Sequence, residues 1–402
     1  MNNKILIISP TPTHPQDAGN RSRIFQMSEL LKKNINAKVF FLFVPFESSD
    51  LVQMEQYWGN NLFIYDKSLN SCKSYNNIEK ISRILQKIYH KIRYSKTENL
   101  HNKDVDDFYP VALTDYIKNL QKKHEFKYVI TEYVYLSKVF NIFDKDVVKI
   151  LDTHDLLTNR YKIFLDKEEK PQWYSLFYSE EKKGFNRADY ILSIQDSEKI
   201  KIKSMIHSNK KVITLGHPLP LHRKEISKTV RNLIFVASHN YINIKCINEF
   251  ITNIFPNIIA LFPEIKLLLA GSISDMKQKI VKTENIEYLG RYNHVNSIYN
   301  IADIAINPIN FGTGLKIKII EALSCGMPSI SYKQSMDGLQ DINTIEFCEV
   351  ANDENDFKNK LINLIQNYDR RNKLSENAYS FMEDYNYRAT KDFLTIFNET
   401  HE

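Results

Sequence analysis

The sequence predicts an α/β fold with two parallel sheets, each covered by helices, and three observations predict it. Short apolar runs alternate with amphipathic helical stretches in both halves of the chain, the pattern of parallel sheets covered by helices. The 402 residues are enough for two domains of ordinary size. Between the two series lies Gly216-His217-Pro218-Leu219-Pro220, followed by the basic run His222-Arg223-Lys224. Stiff prolines and clustered charge at that point mark a boundary. The expected division is 1–217, then 218–385, with a C-terminal segment 386–402.

In the first half, KILIIS (Lys4 to Ser9) reads as a buried strand. Pro10, Pro12 and Pro15 then force an extended loop, and Asp17-Ala18-Gly19-Asn20 opens a helix carrying Ile24, Met27, Leu30 and Leu31 on one face. Gly19 either makes a surface turn or lets the backbone approach a ligand. AKVFFLFV (Ala37 to Val44) and Leu62 to Tyr65 read as further strands. Residues 76–95 hold Ile81, Ile84, Leu85, Ile88 and Ile92 at helical spacing, with Lys80, Arg83, Lys87, Lys91 and Arg93 between them. This basic amphipathic helix is either an ordinary domain helix with a solvated face or a contact with anionic membrane. KYVIT (Lys127 to Thr131) and VVKIL (Val147 to Leu151) are strands, and the second runs into Asp152-Thr153-His154-Asp155. His154 thus stands at the carboxyl end of a parallel strand, where open α/β sheets place ligands. A hydrogen-bonded structural histidine is the plainer alternative. Tyr174 to Ala188 reads as a helix whose adjacent Glu180 and Glu181 point apart and belong to the surface. Tyr190 to Ile194 and Val212 to Leu215 complete the first series.

The second half restarts with NLIFVA (Asn232 to Ala237), a loop from Ser238 to Asn243, and a helix to Phe262. Lys266 to Ala270, Ile286 to Leu289, Ile301 to Pro308 and Ser329 to Ser331 are strands, and the tail from Asp353 is helical. The stretch Phe311 to Pro328, FGTGLKIKIIEALSCGMP, reads as glycine turn and helix with a Gly-x-Pro stop. Such a turn presents free backbone N–H groups and a positive helix end to a phosphate. Gly314, Lys318, Glu321 and Cys325 fall at i, i+4, i+7 and i+11, on one helix face.

Composition narrows the classes. Hydrophobic residues at 43% and charged residues at 25% describe a globular chain. A net charge of +6, spread along the chain, is too weak for nucleic acid but suits phosphorylated ligands or an anionic membrane face. Cys72, Cys246, Cys325 and Cys348 form no CxxC or metal spacing, as expected in a reduced cytoplasm. The first residues read as no signal peptide, and no apolar run approaches the ~18–20 residues of a membrane span.

Glu321-Ala322-Leu323-Ser324-Cys325-Gly326-Met327-Pro328 resembles the second half of the donor-site motif of family 4, or group 1, glycosyltransferases. That motif has a Glu, seven residues, then a second Glu followed by Ala-Leu or Ala-Met, a small residue, Cys-Gly and Pro. The first glutamate would fall at Thr313 and is absent. Gly312-Thr313-Gly314-Leu315-Lys316 resembles instead the Gly-x-Gly-x-Lys lead-in of a bacterial polysaccharide subgroup. Ser9 to Arg23 is similar to that subgroup's first βα loop, and Leu151 to Leu156 to its strand-end histidine run. The resemblance implies a GT-B fold, two Rossmann-like domains facing each other across a cleft, with a last helix near Arg388 to Asn398 crossing back to the first domain.

It further implies a retaining, metal-independent transferase without cofactor, in the cytoplasm or at the inner face of its membrane. A nucleotide sugar would be the donor, and a glycan or lipid-linked glycan the acceptor in surface-polysaccharide synthesis. By the same resemblance His154 meets the transferring sugar, Lys316 and Lys318 stabilise the leaving group, and Glu321 binds the ribose. Gly19, Asn20, Ser238, Asn243, Arg291, Tyr292, Gly312, Thr313 and Gly314 line the donor, and Arg21 and Arg23 lie on the acceptor side. No Asp-x-Asp triplet stands in a plausible βα loop, so leaving-group charge falls to the protein. Two other readings remain open: a non-catalytic GT-B partner subunit, and a sugar-nucleotide epimerase.

Overall fold

The computed structural model describes residues 3–35, 37–45, 51–65, 101–166, 168–171, 174–292, 294–311, 316–336, 339 and 346–398. The expected helix at 76–95, and Gly312, Thr313 and Gly314, lie outside the described residues.

The first series of apolar runs forms a seven-stranded sheet: β1 (Asn3–Ser9), β2 (Ala37–Phe43), β3 (Leu62–Ile64), β4 (Tyr128–Glu132), β5 (Val148–Asp152), β6 (Tyr190–Ser193) and β7 (Lys211–Thr214). Their order is β3-β2-β1-β4-β5-β6-β7. The pairings from β3 through β6 are parallel. Central strands buried on both faces need apolar side chains on both, which is why they appear as unbroken runs. Leu6, Ile8, Leu42, Val129 and Leu151 pack in one cluster with Leu113 and Ile117 of the Leu113–His124 helix. Each such side chain, fully buried, contributes about 1.5–3 kcal/mol.

The second series forms a six-stranded parallel sheet: β8 (Asn232–Val236), β9 (Lys266–Ala270), β10 (Ile286–Gly290), β11 (Ile304–Asn307), β12 (Ser329–Tyr332) and β13 (Glu349–Ala351). Its order is β10-β9-β8-β11-β12-β13. The chain reverses its direction of winding between β1 and β4 in one sheet and between β8 and β11 in the other. Such switch points leave a crevice at the carboxyl ends of the strands, where ligands bind.

Four features differ from the expectations or add to them. First, Pro12–Asn36 and Ser193–Ile200 group by contact with Ile213–Glu402. The reason is local. Gly19, first in the Gly19–Asn34 helix, sits against Ile317, where a Cβ would lie 2.9 Å from the Ile317 Cβ. Second, the helix expected from 314 onward is described from Ile317. The helix is Ile317–Ser324 with Lys316 at its N-cap, so Glu321 stands one turn in. Third, the expected helix to Phe262 breaks into Tyr241–Asn253 and Phe255–Leu261, with Pro256 in the first turn of the second. Fourth, the last helix is not a short one from Arg388; it is continuous from Tyr368 to Thr395.

The Ile317–Ser324 helix is held from two sides. Ala322 and the following Cys325 pack with Ile234, Val236 and Tyr299, while Ile319, Ile320 and Leu323 pack with Met336, Ala378 and Met382. An element wedged in this way holds its polar side chains in fixed positions.

Candidate functional site

At the switch point of the second sheet, the loop after β8 and the Ile317–Ser324 helix come together. Asn240 caps the Tyr241–Asn253 helix, its side chain accepting from the Asn243 N–H at 2.9 Å. Asn243 donates to the Ser238 carbonyl at 2.8 Å and to the Ser238 hydroxyl at 3.3 Å. Its remaining oxygen accepts from Lys318 Nζ at 2.7 Å. Three residues singled out in the sequence, Ser238, Asn243 and Lys318, thus form one network. Gly271 (φ +92) lets the neighbouring β9 loop close on β8, since a Cβ there would lie 2.5 Å from the Ala237 carbonyl oxygen. That brings Ser272 within 3.1 Å of the His239 N–H.

Lys318 is partly buried, with a neutral amide as its hydrogen-bond partner and the Phe235 ring 4.5 Å from its ammonium. Burial, then repulsion from Lys316, lowers its pKa to about 7. Glu321, three residues on and 3% exposed, has no hydrogen-bond partner for its carboxylate among the described residues. Burial raises its pKa to about 8, opposed by Lys318. The hydroxyls of Tyr292 and Tyr299 are pushed well above their usual range by burial first and by Glu321 second. A buried acid and a partly buried base without a salt partner of bonding distance form a site whose charges suit an incoming ligand. Diphosphate oxygens would complement Lys318, and vicinal hydroxyls would complement Glu321.

The first βα loop presents a chain of charges. Asp17, almost fully buried, takes Arg21 at 3.2 Å and also Arg291, which forks to Asp275 at 2.8 Å. Arg291 therefore ties the loop after β10 to the loop before Gly19. Asn20 accepts from the Arg21 N–H at 3.0 Å. Arg23, expected on the acceptor side, is buried. It is 2% exposed, and its guanidinium donates to the carbonyls of Leu215 and Gly216, which makes it a strut for the chain just after β7. Lys245 lies over the Phe311 ring at 5.7 Å.

Beside the switch point of the first sheet, β4 and β5 end side by side. His154 Nε2 is 2.6 Å from Glu132 Oε2 and 3.8 Å from Asp152 Oδ2. The ring stacks on Tyr133 at 4.1 Å between centroids. Sequence reasoning named His154 and missed Glu132; the residue follows KYVIT directly, but nothing in its spacing ties it to a histidine 22 positions away. Glu181 was also misjudged. It is fully buried and accepts from the N–H groups of Leu157 at 2.6 Å and Thr158 at 2.7 Å, pinning the loop after His154.

Among the described residues no helix is long and apolar enough to cross a membrane. Residues 230–367 match the family model described as Glycosyl transferases group 1. No curated protein sequence matches significantly. Among solved structures, the chain is similar to sucrose-phosphate synthase from Thermosynechococcus elongatus, with a TM-score of 0.67, 13% identity and 99% of each chain covered. It is similar to HepE from Anabaena, solved with UDP and glucose, with a TM-score of 0.61, 10% identity, and 99% of this chain and 100% of that one covered. A variant of TarM from S. aureus, solved with Fondaparinux, alpha-GlcNAc-glycerol and UDP, gives a TM-score of 0.65 and 11% identity over 100% of both chains. Residues 230–367 therefore match the Glycosyl transferases group 1 model, and the whole chain has the GT-B fold of these structures.

Proposed function

We propose that the protein is a retaining glycosyltransferase of family 4 that moves a sugar from a nucleotide-sugar donor to a growing bacterial surface glycan. The observation that carries this reading is the partly buried Lys318 and the buried Glu321 beside Asn243 and Ser238, inside the segment that matches group 1. In this reading Glu321 accepts from the ribose hydroxyls. Lys318, with Lys316 at the helix entrance, meets the diphosphate and offsets the charge that grows on it as the glycosidic bond breaks. Protein cations do this work, and no metal or cofactor is assigned a role. The Arg291–Asp17 link holds the first βα loop against the base-side loop. His154 is assigned to the transferring sugar, and Arg21 to the acceptor. The cytoplasm, at the inner face of its membrane, is the expected location.

UDP-sugars are the first donors to test, since HepE and the TarM variant were solved with UDP. The purified chain is incubated with UDP-glucose, UDP-N-acetylglucosamine and related donors, with and without lipid-linked or free glycan acceptors. Release of UDP together with a glycosylated product supports the reading. Tight donor binding without hydrolysis or transfer would point to the non-catalytic partner subunit, a reading that the missing glutamate at Thr313 favours. An epimerised donor formed without acceptor would replace both.

A further inference from the structure

The geometry points to Glu132 as the positioning residue of His154: its carboxylate takes the Nε2 proton of the ring and leaves Nδ1 as the acceptor that meets the substrate. The inference rests on the assignment of His154 to the transferring sugar, and it extends that assignment to a residue the sequence motif does not include.

Four observations carry it. The Glu132 Oε2 to His154 Nε2 separation of 2.6 Å is that of a strong, charge-assisted bond. Asp152 Oδ2 lies 3.8 Å from the same nitrogen, too far to share the proton but on the same side of the ring. Two carboxylates facing Nε2 place the ring proton there. Nδ1 has no hydrogen-bond partner among the described residues, so the neutral ring keeps an acceptor for a sugar hydroxyl. Finally, the ring is clamped from behind. Tyr133 stacks on it with an interplanar angle of 14°, and the Tyr133 N–H donates to the Asp152 carbonyl at 2.9 Å. Tyr133 and His154 both have positive φ, +67° and +59°, a left-handed region that residues other than glycine seldom adopt. Backbone held in that region at two contacting residues is the mark of a geometry fixed for use. Glu132 and Asp152 are both fully buried, so solvent does not compete for the proton.

The test uses the full chain labelled with ¹⁵N-histidine, His154 being assigned by comparison with His154→Gln. The wild type is expected to show a protonated Nε2 and a pyridine-like Nδ1. Glu132→Gln is expected to lose that fixed tautomer and to lower kcat at least about tenfold, with UDP affinity within about twofold of wild type. Glu132→Asp, which keeps the charge with a shorter reach, is expected to recover part of the loss. If Glu132→Gln does not fold, the wild-type tautomer alone decides. An Nδ1–H tautomer in the wild type overturns the inference. So does wild-type turnover in a folded Glu132→Gln, or one equivalent of divalent metal in the purified protein, because a metal would occupy Nε2. A wild type with neither turnover nor donor affinity removes the functional reading beneath it, whereas an active wild type with an indifferent Glu132→Gln removes this inference alone.

Discussion

Raising the pH should weaken nucleotide binding, and the slope follows from Lys318. Burial sets its pKa at about 7 in the empty site. A diphosphate beside it restores the charged form, so binding takes up a proton. Affinity then follows the fraction of Lys318 already protonated, which falls from about one half at pH 7 to about one tenth at pH 8, a loss of about fivefold. The phosphate of UDP, with a second pKa near ~6, contributes little in this window. Glu321, at about 8, titrates in the same range with the opposite consequence and would offset the fall in the wild type, so the Lys318 slope is read in Glu321→Gln, where that group no longer titrates. Calorimetric titration of UDP at pH 7, 7.5 and 8, in buffers of different ionisation enthalpy, measures both affinity and proton uptake. Lys318→Met added to Glu321→Gln should bind more weakly at pH 7 and lose the slope. Affinity that is flat or rising from pH 7 to 8 in Glu321→Gln, or a slope unchanged when Lys318→Met is added, would refute the reasoning.

Other perturbations test the frame around the site. Gly19→Ala puts a Cβ 2.9 Å from the Ile317 Cβ and should cost roughly 1–3 kcal/mol in denaturant unfolding; Ile317→Ala should recover most of it in the double variant. An additive double variant would show that the two helix starts do not meet. Glu181→Ala strips a buried acceptor from the N–H groups of Leu157 and Thr158 and should destabilise by roughly 3 kcal/mol or more. Unfolding midpoints unchanged from wild type would return Glu181 to the surface. The basic stretch at 76–95 should carry the protein onto anionic liposomes in low salt and release it in high salt. Lys80, Arg83, Lys87 and Lys91 changed together to Gln should remove that binding; binding indifferent to salt would leave an ordinary domain helix.

The strands were legible because buried parallel strands write themselves as continuous apolar runs: LLL within β9 and ILII within β1 need no partner to be seen. β13 was not, since Glu349-Val350-Ala351 is too short and mixed to stand out from a loop. In the Ile317–Ser324 helix the neighbourhood of Lys318 and Glu321 was legible from helix spacing, because i, i+3 neighbours share a face. What escaped was contact between distant segments. Glu132 meets His154 only because β4 and β5 are neighbours that end level with each other, a fact of sheet order. Arg23 looked like a surface cation, and its burial depends on carbonyls at Leu215 and Gly216, almost two hundred residues away. Glu181 looked like half of an exposed pair, and its burial depends on a loop that the helix caps from outside.

The central claim is that a nucleoside diphosphate binds at the Ile317–Ser324 helix with its ribose on Glu321. Titration of UDP into folded Glu321→Ala tests it most directly. Charge-assisted bonds contribute roughly 1.5–3 kcal/mol each, so losing even one should weaken binding at least about tenfold. The fold should persist, because the Glu321 carboxylate holds no other described residue by a hydrogen bond. The account predicts that tenfold loss with an unfolding midpoint no lower than wild type. An unchanged UDP affinity in a folded Glu321→Ala protein would contradict it and move the nucleotide site elsewhere.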